Sequence, residues 1–181
     1  MRLGYTQCQA DHTLFLRTSQ EEKISLLIVY VDDIILSRND EEELQKLKKQ
    51  LAQEFEVKDI GNLKYFLEMG VARSRKEIVV SQKKYTLDLL KETGMIGRKP
   101  VNTLMDPYKK LFSVDNSVPV NRERYQRLVG RLIYLLHTRP DIGFAVSAVS
   151  QFMHNPTKEY MDAVFRILKY LKMTPGKRIV F

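Results

Sequence analysis

The sequence predicts an α+β fold: antiparallel hairpins with one helix, followed by a three-helix bundle. Three observations carry that prediction. Short apolar runs between turn residues fill the first 81 positions, as strands do. Apolar residues at helical spacing dominate positions 122–175, as packed helices require. Between them, Pro100, Pro107 and Pro119 interrupt any periodicity.

Taken in order, Thr13–Arg17 and Lys23–Val31 read as strands joined by the polar loop 18–22, and Ile34–Ser37 pairs back on the second. Asn39 or Asp40 caps a helix running to about Glu54, and Asp40 with Glu43 has the offset of a capping box. Leu44, Leu47, Leu51 and Phe55 form its buried stripe, with Lys46, Lys48 and Lys49 in water. After a turn around Gly61, Lys64–Ser74 and Glu77–Ser81 read as a second hairpin turning at Arg75 and Lys76. Ser81 opens a helix that Gly94 stops.

Positions 95–121 form an irregular connection longer than most loops. The helix Arg122–His137 buries positions 125, 128, 129, 132, 133 and 136. Pro140 suits the first turn of the next helix, Asp141–Met153, and a third runs Lys158–Met173 before Pro175-Gly176. Lys177–Phe181 reads as the first strand of a further domain. The expected domains are 1–81, 82–121, 122–175 and 176–181.

With 44% hydrophobic and 29% charged residues over 181 positions, the chain has the composition of a globular protein. No apolar run approaches the ~18 residues of a membrane helix, and the first residues lack a signal peptide's apolar region, so no membrane partner is expected. Cys8, the single cysteine, leaves no internal disulfide and suits an intracellular, reducing compartment. Charge is divided unevenly. Positions 1–81 hold 12 Lys/Arg against 14 Asp/Glu, net −2, and positions 82–181 hold 18 against 8, net +10. A basic half beside an acidic half fits a nucleic-acid groove next to a cation centre, or simply two solvated surfaces.

The chemistry concentrates in Leu26–Ser37, LLIVYVDDIILS. Asp32 and Asp33 interrupt an apolar run that otherwise reads as buried strand, where an unpaired carboxylate is costly. One reading is a polar turn, the commoner setting for a bare Asp-Asp pair. The other is a hard-cation site, since carboxylate oxygens on a rigid hairpin suit Mg2+ completed by substrate phosphates. With apolar strands on both sides, Tyr30-Val31-Asp32-Asp33 resembles the YxDD box of reverse transcriptases.

The resemblance widens along the chain. QADHTLF, YVDDIIL, KYFLEMGVAR, SQKKYTLDLLKETGM, YQRLVGRLIYL, HTRPDI and SQFMHNP look like blocks of copia-type LTR retrotransposon polymerases, in family order. It implies that residues 1–81 are part of a polymerase palm and residues 122–175 a thumb. The implied activity is RNA-directed DNA polymerisation with two Mg2+ (or Mn2+) ions. Asp32 and Asp33 would be two of three metal carboxylates, with Tyr30 and Val31 beside the primer terminus. Phe66 to Gly70 resembles the primer grip, placing Met69 and Gly70 there too. Family members usually carry Gly where Glu68 stands and an acid where Gly70 stands. By the residues alone, Gly70 serves close backbone approach or a β-bulge.

Gln126, Gly130 and Tyr134, at i, i+4 and i+8 beside Arg127 and Arg131, resemble the thumb-helix track that follows a duplex minor groove. Gly130 costs its helix ~1 kcal/mol relative to Ala, so it serves either close helix packing or approach to a duplex. Arg166, Lys169 and Lys172 are further candidates for phosphate contact, or solvated surface. The implied partners are an RNA/DNA or DNA/DNA primer–template duplex, dNTP and the rest of the Pol polyprotein. The implied location is a cytoplasmic virus-like particle or the nucleus.

The family's third metal carboxylate, its fingers and its RNase H acids match nothing in these 181 residues. The chain alone is therefore expected not to polymerise. A non-catalytic remnant that still holds duplex is the alternative. The first hairpin is expected to leave an open sheet edge. His12, His137 and His154 are scattered, without zinc-ligand spacing.

Overall fold

A computed structural model of the chain describes residues 4–18, 23–38, 40–105 and 118–181. The chain divides into two compact units, residues 1–63 and 64–181.

In the first unit, β1 (Thr6–Gln7), β2 (Leu14–Thr18), β3 (Ile24–Tyr30) and β4 (Asp33–Arg38) form one antiparallel sheet in that order. The register sets Phe15 opposite Leu27 and Leu27 opposite Leu36. Because side chains alternate along a strand, these three share a face with Ile34. Helix α1 (Glu41–Glu54) covers it, closing a core of Tyr5, Phe15, Leu27, Leu47 and Leu51. At its margin the Tyr5 hydroxyl bonds the buried Ser25 hydroxyl at 2.5 Å.

Asp40 caps α1 by accepting the amides of Glu42 and Glu43, and Lys23 grips its other oxygen at 3.1 Å. The Glu43 carboxylate pairs with Arg38. Phe55, expected in the buried stripe, is exposed: the chain turns extended there, at φ −133°, and leaves the helical direction. The expected loop residues 19–22 and the alternative cap Asn39 lie outside the described residues. Among the described residues β4 forms one edge of this sheet.

In the second unit, β5 (Tyr65–Phe66), β6 (Met69–Arg73), β7 (Ile78–Ser81) and β8 (Ile179–Val180) make another antiparallel sheet in that order. One expected strand is divided in two. Lys64–Ser74 is not one strand, because a turn at Leu67–Glu68 folds β5 back on β6. The chain's last residues pair with β7, Val180 facing Val79 and Ile179 facing Val80. The second hairpin lies in the same compact unit as the helices.

Helices α2 (Lys83–Glu92), α3 (Arg122–Leu135), α4 (Gly143–Ser150) and α5 (Lys158–Met173) complete this unit. Ser81 Oγ accepts the Lys83 amide at the start of α2. At its end Gly94, at φ +67°, allows the Met95 amide to reach Leu90 O and its own to reach Lys91 O, a Schellman cap. The core gathers Leu89 and Leu90 from α2, Tyr125, Leu128, Val129, Leu132 and Leu135 from α3, and facing residues of α4 and α5. Ile133, expected inside, is exposed, and Leu135 is buried instead. Helix α4 is shorter than expected, with a 3-10 turn at Pro140–Ile142 before it and Phe152 and Met153 half-buried beyond its end.

The α3–α4 turn is fixed by Arg139, whose side chain is 2% exposed. Its guanidinium donates to both Asp141 oxygens at 2.9 Å, and to Thr174 O and Oγ1 at 2.8 and 3.0 Å. These bonds hold the Asp141 carboxyl well below the usual carboxylate range. Part of the irregular connection, residues 106–117 with Pro107, lies outside the described residues.

Candidate cation hairpin and nucleic-acid face

Tyr30 pairs with Asp33 across the β3–β4 ladder, which leaves Val31 and Asp32 as a two-residue turn. Such turns need a positive φ, which normally selects Gly or Asn. Here Val31 carries it, at φ +52°, with 82% of its surface exposed. A β-branched residue in the left-handed region is an outlier, and strain of this kind concentrates at functional sites.

The turn spares both carboxylates the cost of burial: Asp32 and Asp33 are exposed. Among the described residues neither makes a hydrogen bond or ion pair, so both keep their acceptor capacity. Strand alternation puts Asp33 and Tyr30 on the sheet face opposite the one α1 covers.

The donor set fits a hard divalent cation in part. Mg2+ is typically bound by one or two carboxylates, with water and substrate phosphate completing the octahedron. Among the described residues no three His, Cys, Asp or Glu side chains gather in a metal-binding group. The hairpin therefore offers two carboxylates and leaves the remaining positions to substrate, water or other protein groups.

In the second unit, α3 presents an outward face of Glu123, Arg127 and Gly130, with Tyr134 half-buried at its end. Gly130 is exposed, and a Cβ added there would meet nothing within 4 Å. Close helix packing within the described residues does not account for this glycine. Arg127 is exposed beside it.

Most of the other predicted side chains are engaged within the unit. Gln126 Nε2 donates to Met153 O at 2.9 Å. Arg131 pairs with Glu92, holding that carboxyl below its usual range, and its guanidinium lies 5.3 Å from the Tyr85 ring. The Tyr134 hydroxyl donates to Leu67 O. On α5, Arg166 donates to Thr103 Oγ1 and Lys172 to Arg98 O, and Lys169 O accepts the Val101 amide. These contacts brace the connection between α2 and α3.

Met69 and Gly70 stand in β6, half-buried, with the ladder unbroken through Gly70 opposite Tyr65 and Ser81. No bulge is present, and a Cβ at Gly70 would sit an ordinary 3.5 Å from Ser81 O. The unusual backbone lies two residues earlier, at Leu67 (φ +46°) and Glu68 (φ +59°). Sequence gave no warning of this turn, since neither residue is a turn former. Within the hairpin, Tyr65, three residues before Glu68, donates its hydroxyl to Glu68 Oε2 at 2.6 Å.

Comparison with known proteins adds the context. A protein-family model described as "Reverse transcriptase (RNA-dependent DNA polymerase)" matches residues 1–107. The chain is 41% identical over 179 residues to the retrovirus-related Pol polyprotein from transposon RE1 of Arabidopsis thaliana, covering 99% of this chain and 12% of that polyprotein. It is 33% identical over 186 residues to the Pol polyprotein from transposon TNT 1-94 of Nicotiana tabacum, covering 98% of this chain and 14% of that protein. An uncharacterized mitochondrial protein of Arabidopsis thaliana, AtMg00810, is 38% identical over 148 residues, 82% of this chain and 61% of its own length. No solved structure matches. The chain thus spans about an eighth of the length of the polyproteins it most resembles among those named.

Proposed function

The chain belongs to the reverse transcriptase family, as a fragment of a copia-type retrotransposon Pol polyprotein, and from that premise we propose that its two units divide the labour of a polymerase. Residues 4–63 present the cation carboxylates, as the distal part of a palm. The helical unit holds the primer–template duplex, as a thumb.

The observation that carries this is the exposed Asp32–Asp33 couple, unpaired among the described residues, on a strained two-residue turn. Its carboxylates would hold Mg2+ or Mn2+ together with the phosphates of dNTP. When bound, two such ions supply Lewis acidity that activates the primer 3′-hydroxyl and neutralises charge on the transferring phosphate. Tyr30, on the same face as Asp33, and Val31 at the tip lie beside the primer terminus. Met69 and Gly70 of the second hairpin, behind its turn, also lie beside the primer terminus. Gly130 offers bare backbone and Arg127 a cation to the duplex, framed by Gln126, Arg131 and Tyr134. A hybrid duplex tends to A-like form, whose shallow minor groove suits sequence-blind contacts of this sort.

Two carboxylates on one hairpin do not make a complete two-ion site, so the 181 residues alone should not extend a primer. The test is primer extension by a Pol polyprotein carrying this segment, with Mg2+ or Mn2+, an RNA template and a DNA primer. Asp32→Asn and Asp33→Asn should each reduce product to background while leaving duplex affinity unchanged. Undiminished extension by either variant would overturn the assignment; template-dependent product from the isolated chain, abolished by Asp32→Asn, would instead overturn the expectation that these 181 residues alone do not extend a primer.

A further inference from the structure

Two consecutive non-glycine residues in the left-handed region, Leu67 and Glu68, stand at a turn closed by the Phe66–Met69 pair. A turn with positive φ at both central positions favours Asn-Gly, and leucine has nothing in its side chain to stabilise that conformation. Backbone of this kind persists only where the surroundings over-determine it. Two tyrosines do so. Tyr65 bonds Glu68 from within the hairpin, and Tyr134 bonds the Leu67 carbonyl from α3.

Tyr134 is itself fixed. Its ring meets Tyr85 of α2 edge-on at 5.3 Å and His137 at 5.6 Å. A phenol has a single O–H to donate, and here it goes to Leu67 O, so it is not available to a phosphate or a ribose hydroxyl. Arg131, stacked near Tyr85 and paired with Glu92, closes the same cluster.

We propose that Tyr134 is a positioning residue: its hydroxyl ties α3 to the Leu67–Glu68 turn and so sets the backbone that the second hairpin presents to the primer strand. The turn-holding part stands on the contacts above, and the primer-strand part rests on the proposed function. Helix α3 would then do two separate jobs. Its Arg127–Gly130 stretch meets the duplex, and Tyr134, one turn further on, governs the hairpin.

The experiment uses three variants of the whole chain: Tyr134→Phe, the turn swap Leu67→Asn/Glu68→Gly, and all three changes together. Asn-Gly takes positive φ unaided, so the swapped turn should not need the tyrosine. Amide hydrogen exchange over residues 64–71, without nucleic acid, reads the turn directly. Tyr134→Phe should speed exchange about three- to tenfold, the weight of one hydrogen bond, and the swap should cancel that increase. Anisotropy of a labelled RNA/DNA hybrid should follow the same pattern, with affinity lost in Tyr134→Phe and restored in the triple variant.

Unchanged exchange in Tyr134→Phe, or no rescue by the swap, would overturn the proposal. Exchange rescued without affinity rescued would mean that Tyr134 touches the duplex itself, which also overturns it. If the wild-type chain binds no hybrid while exchange behaves as described, the duplex-holding function fails and the tie between α3 and the turn stands.

Discussion

Among the described residues, the first unit lays one helix on a four-stranded sheet around five buried side chains, whereas the second joins four helices to another four-stranded sheet around eighteen. Their charge differs as sharply. The first holds 8 Lys/Arg against 12 Asp/Glu, net −4, and the second 22 against 10, net +12. Dividing the chain where it folds, rather than at residue 81, thus widens the contrast seen in sequence. The proposed cation carboxylates stand on the smaller scaffold, where burial offsets chain entropy least. The unit proposed to hold the duplex has core to spare. Precision at the Val31 turn is therefore expected to depend on few contacts, and the helical unit should tolerate more.

The largest test of this contrast is Arg139→Ala. It removes the buried guanidinium that joins Asp141 to Thr174, leaving Lys177 as the cation beside Asp141, and should cost the helical unit about 3–5 kcal/mol, seen as a lowered upper transition in thermal unfolding. Acid probes the same network. Because Arg139 depresses the Asp141 pKa in the folded state, the stabilisation is present above the unfolded value of about 4 and is lost as pH falls below it. Asp141→Asn should flatten that acid limb.

Next in size, Leu47→Ala removes one of the five core residues of the first unit and should cost about 2–5 kcal/mol. In so small a unit that unfolds residues 4–63 and leaves the upper transition in place. A single merged transition, moved equally by both variants, would show that the units are not independent in stability. Smallest is Gly94→Ala. Its Cβ would meet nothing within 4 Å, so the effect isolates the φ of +67° at about 1–2 kcal/mol. A neutral result there would argue against the Schellman cap at the end of α2.

Much of this architecture can be read from residues alone, where the information is local. Helix α5 begins and ends where its apolar stripe and the flanking Asn155-Pro156-Thr157 and Pro175-Gly176 place it. The β3–β4 hairpin is equally legible, because two acids inside an apolar run can only be accommodated at a turn. Where the determinants are distant, sequence is silent. Nothing in Phe-Leu-Glu-Met announces a turn at Leu67–Glu68, since one of the groups that holds it is a tyrosine 67 residues away. The pairing of β8 with β7 joins residues about a hundred positions apart. At the site, charge shows which residues could meet phosphate but not which are already taken, as Arg131 is by Glu92. That a valine rather than an aspartate bears the strained φ of the acidic turn is also invisible without coordinates.

The central claim, that Asp32 and Asp33 form a divalent-cation clamp, is tested most directly by Mn2+ paramagnetic broadening of backbone amide signals in the chain. Titrated Mn2+ should broaden residues 30–33 first, and Asp32→Asn/Asp33→Asn should remove that preference. Broadening strongest at the acidic first turn of α1, Glu41–Glu43, or unaltered by the double substitution, would contradict the claim.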